Sequence, residues 1–333
     1  MTSNDYVRAL YRLALGREPD DAGLRYWVDF IQQSGDSTEV LAQILDSEEF
    51  RQRNTKLQFR SHAARAAVLA GLIDPNGGLT IVDVGAQRLS YQEHMYQPLL
   101  DSGVPCHIIG FDPLAERLRE RAEQEKNYDV TLLPYAIGDG QSRPFYINNV
   151  DATSSFYPLN PDLNCHFGDL SSLKTISTQQ IATHRLDDVL SCEKVDLLKL
   201  DIQGFELCAM KSSPKTLART AVIHCEVLFA PIYLDQPVFS QVESFLASSG
   251  FQFVDFVNPV HLPLIVASGK TYPDTLIFAD ALFLRVDPSN PEMTIAQALI
   301  AILVYGKYGL AEWLLQQCDR VNGTHLADTI SSV

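Results

Sequence analysis

From Leu79 onward, short apolar runs alternate with amphipathic ones, and this alternation leaves few folds open to the chain. Strand-length runs rich in apolar and β-branched residues stand at 79–84 (LTIVDV), 107–111 (HIIGF), 130–133, 195–200 (VDLLKL), 221–227 (AVIHCEV), 251–257 and 281–286. Helical patterns fit between them at about 91–101, 114–124 and 238–248, with a short one after Phe205. Strands separated by helices pair in parallel, with helices on both faces, so the expected architecture is α/β: a doubly wound, mostly parallel sheet of seven strands. The segment 140–183 fits no such unit and is expected to be an irregular binding loop or lid.

Ligands of open α/β sheets bind beyond the carboxyl ends of the strands, so the residues that close the strands are the candidate site. Asp83-Val84-Gly85-Ala86 closes the first strand and Phe111-Asp112-Pro113 the second; Ala136-Ile137-Gly138-Asp139 follows the third. Asp201 closes the fourth, in VDLLKLDIQGFE, and Glu226 the fifth. Glycine after the first strand lets a ligand approach the backbone, and a carboxylate after the second can accept both hydrogen bonds of a ribose diol. The arrangement describes a nucleoside-containing cofactor. No GxGxxG follows the first strand, which argues against a nicotinamide-dependent oxidoreductase.

Outside this region the chain is helical. Val7, Leu10, Tyr11 and Ala14 recur at helical spacing, Pro19-Asp20 marks a new start, and Asp36 with Glu39 forms a capping-box pattern, giving three or four short helices. The last stretch, TIAQALIAILVYGKYGLAEWLLQQC, reads as two helices hinged near Gly306–Gly309; their apolar faces call for the sheet domain, or a second copy in a homodimer, to cover them. The expected division is a helical module at 1–54, a linking helix at 55–78, the sheet domain at 79–290 and a helical extension at 291–333.

Net charge is −15, and it lies almost wholly after residue 70, where 17 Lys+Arg face 31 Asp+Glu. Such an acidic domain offers no basic footprint for nucleic acid. Six cysteines are scattered without a CxxC pair, as expected of reduced thiols, and no HxH or HExxH spacing points to a metal. No apolar run is long enough for a membrane span and no secretory pattern opens the chain, so a cytoplasmic location is expected.

The region 79–285 resembles the FkbM family of S-adenosylmethionine-dependent methyltransferases. Its lysine, aspartate and E-G-x-E run after the fourth strand is matched by Lys199, Asp201, Gly204 and Glu206, with Gln203 in place of the first glutamate. Its ribose-binding F-E-P is matched by Phe111-Asp112-Pro113, its acidic adenine-side motif by Ala136-Ile137-Gly138-Asp139, and its serine pair by Ser154-Ser155. Arg185-Leu186-Asp187-Asp188 and Asp280-Ala281-Leu282-Phe283 also fit. The string LYRLALGREPDDAGLRYW resembles a short bacterial helical LGR-x-PD module of uncharacterised function, often fused to carbohydrate-related enzymes.

The resemblance implies a class I methyltransferase-like Rossmann fold and S-adenosyl-L-methionine as cofactor, held by Asp83, Gly85, Ala86, Asp112, Ala136, Asp139 and Asp201. One departure stands out: after Asp83-Val84-Gly85-Ala86 the family's second glycine is missing and Gln87-Arg88-Leu89 follows. Either the cofactor shifts so that Arg88 meets its carboxylate, or binding is lost and the chain is an inactive interaction module. For catalysis, Asp201 is expected as base or positioning group, with Glu226 and His224 as partners, since side chains alternate along a strand. Glu206 is expected to cap the following turn, and Lys199 to pair with Asp201. The implied acceptor is a sugar hydroxyl of a glycan or polysaccharide precursor.

Overall fold

A computed structural model of the chain describes residues 3–34, 37–45, 47, 65–74, 77–86 and 93–331. The Asp36 capping box, half of the linking helix and Arg88 lie outside these residues. The chain divides into two compact units, Met1–Ala67 and Val68–Ser332. In the first, helices Ser3–Leu15, Asp21–Ser34 and Ser37–Leu45 close around Val7, Tyr11, Leu15, Val40 and Ile44. Trp27 packs against this core and its indole N–H donates to the Tyr11 hydroxyl at 3.1 Å, while Tyr26 remains exposed.

The second unit is built on strands β1 (Leu79–Val84), β2 (Cys106–Phe111), β3 (Asp129–Leu133), β4 (Ala136–Ile137), β5 (Ser142–Asn148), β6 (Thr175–His184), β7 (Val195–Leu200), β8 (Thr220–Leu228), β9 (Phe251–Leu262) and β10 (Thr275–Arg285). All seven expected strands form one sheet in the order β3-β2-β1-β7-β8-β10-β9. Neighbours from β3 to β8 pair in parallel, and β10 runs antiparallel to both β8 and β9. This is a class I methyltransferase-like Rossmann fold. β1 is buried along its whole length, as expected of a central strand covered on both faces. Its core side joins Val82, Leu198, Ile223 and Phe283 to Leu207 and Leu246 of the flanking helices Glu206–Lys211 and Phe239–Ser248.

The segment read as irregular is partly regular. β5 pairs antiparallel with β6, and β6 pairs in parallel with β4, making a second sheet of three strands. Most of β6 (TISTQQIATH) is exposed, so it carries no apolar alternation for a sequence reading to detect. Between β5 and β6 the chain is mainly loop, tied to the rest by bridges Leu159 to Tyr233 and Phe167 to Leu264.

The C-terminal helices lie against the large sheet. Helix Pro291–Leu303 packs on β7 and β8 and against helix Tyr308–Asn322, with a shorter helix, Leu326–Ser331, beyond. The buried Gln297 amide donates to the carbonyls of Ala221 at 2.9 Å and Arg285 at 2.8 Å, where β8 begins and β10 ends.

Phe283 is fully buried in β10, its ring 5.6 Å from that of Phe253. Phe283→Ala is expected to lower unfolding free energy by about 3–5 kcal/mol in urea titration, the cost of a large aromatic cavity.

Candidate functional site

The sheet order reverses at β1, which has β2 on one side and β7 on the other, and a crevice opens beyond these strand ends. There Gly85 adopts φ +81°, and a Cβ at that position would lie 2.0 Å from the Asp201 carbonyl oxygen. Only glycine fits so close a meeting of β1 and β7. A cavity of about 470 Å³ lies along this edge, and Gly85, Asp112, Ala136, Asp201 and Glu226 all line it.

Asp83 and Ala86 do not line the cavity; they act one layer beneath it. Asp83 and Arg121 are each 1% exposed, and Arg121 Nη1 donates both to Asp83 Oδ2 at 2.8 Å and to the Ala86 carbonyl at 2.9 Å. The Tyr96 hydroxyl donates to Asp83 Oδ2 at 2.8 Å, and Lys199 Nζ stands 3.1 Å from both Asp83 Oδ1 and the Gly85 carbonyl oxygen. Arg121 Nε also donates to Glu125 at 3.0 Å, and Glu125 meets His94 at 2.5 Å. Burial alone would raise the Asp83 pKa, but Lys199 and Arg121 outweigh it and hold the carboxyl far below the usual range. The carbonyls of the glycine turn are thus clamped by the buried Arg121 and the partly buried Lys199. Lys199 lies nearer Asp83 than Asp201, from which it is 3.6 Å away, so its expected pairing with Asp201 is secondary.

Asp112 is buried at the end of β2. Its Oδ1 accepts the Leu114 N–H at 2.7 Å, while Oδ2 has no hydrogen-bond partner among the described residues. Burial, opposed in part by that N–H, pushes its pKa up to about 6. Asp139 is engaged elsewhere: Arg143 Nε donates to both its oxygens at 3.1 Å and holds its pKa below the usual range, and it does not line the cavity.

At the other end, Gln203 joins the two catalytic candidates. Its Nε2 donates to Glu226 Oε2 at 3.0 Å and lies 3.3 Å from Asp201 Oδ1. The Tyr233 hydroxyl donates to Gln203 Oε1 at 3.0 Å, and the Ser155 hydroxyl to its carbonyl at 2.6 Å. Gln203 itself takes φ +55° and Gly204 φ +95°; the turn is capped as expected by Glu206, which accepts from the N–H groups of Ile202 at 2.7 Å and Gly204 at 3.2 Å. Burial, then the charges of Asp201 and Glu206, push the Glu226 pKa well above the carboxylate range.

His224 is the exception. Its Nδ1 lies 3.1 Å from the Tyr305 hydroxyl and its Nε2 3.5 Å from Asp280, and it does not line the cavity. It shares a strand face with Glu226, but its ring is buried against Tyr305 and Asp280 rather than turned to the cavity. Sequence reasoning missed Arg121, which looks like any basic residue of a polar helix. Its one signal is that Leu118, Arg121 and Glu125 fall at the spacing of a buried helix stripe.

Comparison with known families matches residues 83–253 to the methyltransferase FkbM domain and residues 1–54 to a domain of unknown function (DUF4214). The chain belongs to the FkbM methyltransferase family and is an S-adenosylmethionine-dependent methyltransferase. No curated protein matches it. Among solved structures, magnesium protoporphyrin IX methyltransferase (ChlM) from Synechocystis, with bound SAM, shares 12% identity over 86% of this chain and 98% of its own, with a TM-score of 0.33. A TehB-like SAM-dependent methyltransferase from Corynebacterium glutamicum shares 12% over 70% of this chain and 97% of its own, with a TM-score of 0.32. Likenesses this low carry no argument of their own. The cavity itself fits the cofactor: it has no side chain at Gly85, an open carboxylate oxygen at Asp112, and the apolar walls Phe111, Leu114 and Ile137.

Removing one partner of a buried charge network leaves the others uncompensated. Arg121→Leu is expected to cost about 3–5 kcal/mol of unfolding free energy in urea titration; a change below about 1 kcal/mol would show that the network is not what holds the glycine turn.

Proposed function

We propose that the chain is an O-methyltransferase acting on a hydroxyl, namely that of a sugar in a glycan or polysaccharide precursor. The observation that carries this reading is the meeting of Asp201 and Glu226 on one Gln203 amide, in the same cavity as Gly85 and Asp112. The sugar rests on the family resemblance and the fused N-terminal module.

S-adenosylmethionine, when bound, supplies a methyl group already activated on a sulfonium. The chain's own task is then to align a nucleophilic oxygen, exclude water and remove a proton. Asp112, ionised at neutral pH, would accept from the ribose hydroxyls, and Gly85, Ala136 and the apolar walls would seat the rest of the nucleoside. Asp201, about two-fifths exposed at its side chain, takes the acceptor's proton. Glu226 stays protonated and orients the hydroxyl as a hydrogen-bond donor, with Gln203 fixing the separation of the two carboxyls. Two carboxyls held this close divide the roles, because one charge disfavours the other. His224 takes no part.

The test is transfer of isotopically labelled methyl from the cofactor to a panel of glycans, with the linkage read chemically. Label in an alkali-stable methyl ether is expected, and Asp201→Asn is expected to lower the rate about 10²-fold or more. Label recovered only as ester or methylamine would refute the hydroxyl acceptor.

A further inference from the structure

The cavity is not uniform along its length. The strands that bound it stand in the order β2, β1, β7, β8, β10, and at about 4.8 Å between neighbours they give an edge of roughly 19 Å from Asp112 to Phe278. The β2 and β1 end carries the Asp112 carboxyl, set among Phe111, Leu114 and Ile137. Beyond Glu226 the character changes: the walls there are Leu228, Ile232 and Phe278, faced by Leu170 and Leu173 from the loop before β6. None of these five side chains can hydrogen-bond.

These walls are firmly built. Leu170, Leu228 and Ile232 belong to one buried cluster with Phe167, Tyr233 and Ile277, and Leu173 and Phe278 pack on it. An exposed apolar stretch lies beside this cluster. Phe167 bridges to Leu264, the Ile265 N–H donates to the His166 carbonyl at 2.8 Å, and Leu264, Ile265 and Val266 are all exposed, Ile265 by 61%. A free sugar lodged along such walls would leave its hydroxyls without partners, which is costly in a buried site.

We propose that the methyl acceptor is amphiphilic: a hydroxylated head at Asp201 and Glu226, joined to an alkyl or prenyl-like tail lying along Leu170, Leu173, Leu228, Ile232 and Phe278. The tail leaves past Leu264–Val266. This rests on the methyltransferase reading above and narrows the precursor to one carried on an apolar anchor. The head provides the nucleophile; the tail provides affinity and keeps water from the β8 end of the cavity.

The test uses calorimetric titration of the full chain, first with S-adenosylhomocysteine and then, with that product bound, with glucose, hexyl β-glucoside and octyl β-glucoside below their micelle concentrations. Octyl glucoside is expected to bind, hexyl glucoside roughly tenfold more weakly for the loss of two methylenes, and glucose not at all. Leu173→Gln and, as a second variant, Phe278→Ser are each expected to weaken octyl glucoside at least tenfold, with S-adenosylhomocysteine binding as the check that they fold. The inference is overturned if S-adenosylhomocysteine binds but octyl glucoside does not, if glucose binds as tightly as octyl glucoside, or if both variants leave octyl glucoside unchanged. Absence of S-adenosylhomocysteine binding would instead sink the cofactor reading, and this inference with it.

Discussion

The interaction on which the site depends is the buried contact of Asp83 with Arg121 and Lys199. A carboxylate at the end of a central strand, shut off from water, is tolerable only when paired and hydrogen-bonded. Here the two cations that neutralise it also hold the carbonyls of Gly85 and Ala86. Charge compensation and loop geometry are therefore one requirement. The turn that carries Gly85 to the edge of the cavity is fixed from beneath, by residues that do not line the cavity.

The remaining parts of the site follow from where the sheet changes direction. β1 lies between β2 and β7, so Gly85 comes together with Asp112 on one side and Asp201 on the other; β8 then brings Glu226 within reach of Gln203. Gln203 sits in a left-handed conformation that a residue with a Cβ seldom adopts. Its backbone and side chain are both tied, by Ser155, Tyr233 and Glu226, and these contacts maintain the strain. In the proposed reading, cofactor end and acceptor end are parts of one strand edge, set apart by the spacing of strands.

Much of this was legible in the sequence, for identifiable reasons. The strands are apolar runs, and three of them, β1, β2 and β7, stop at Gly85, Asp112 and Asp201, where the sheet meets the cavity. The second sheet was not legible, because β6 is solvated along most of its length and its composition resembles a loop. Asp139 follows β4 and His224 shares a face of β8 with Glu226, as sequence reasoning placed them. Their partners are set by the fold, and for His224 these lie as far off as Tyr305, 81 residues along the chain. Arg121 and Gln203 show the same limit from the other side: each acts by joining segments that no local pattern relates.

The central claim is that Asp112 and the glycine turn of β1 hold the cofactor at this edge. Free Asp112 has its pKa raised to about 6 by burial, and the ribose hydroxyls need the ionised carboxylate. Cofactor affinity should then be level above neutrality and fall as pH drops through that value. The most direct measurement is calorimetric titration with S-adenosylhomocysteine at about pH 7.5 and about pH 5, for the native chain and Asp112→Asn. Roughly tenfold weaker binding at the lower pH is expected, in proportion to the ionised fraction. The variant is expected to bind more weakly at both, with no such dependence. Equal affinity of native chain and variant across this range would contradict the account.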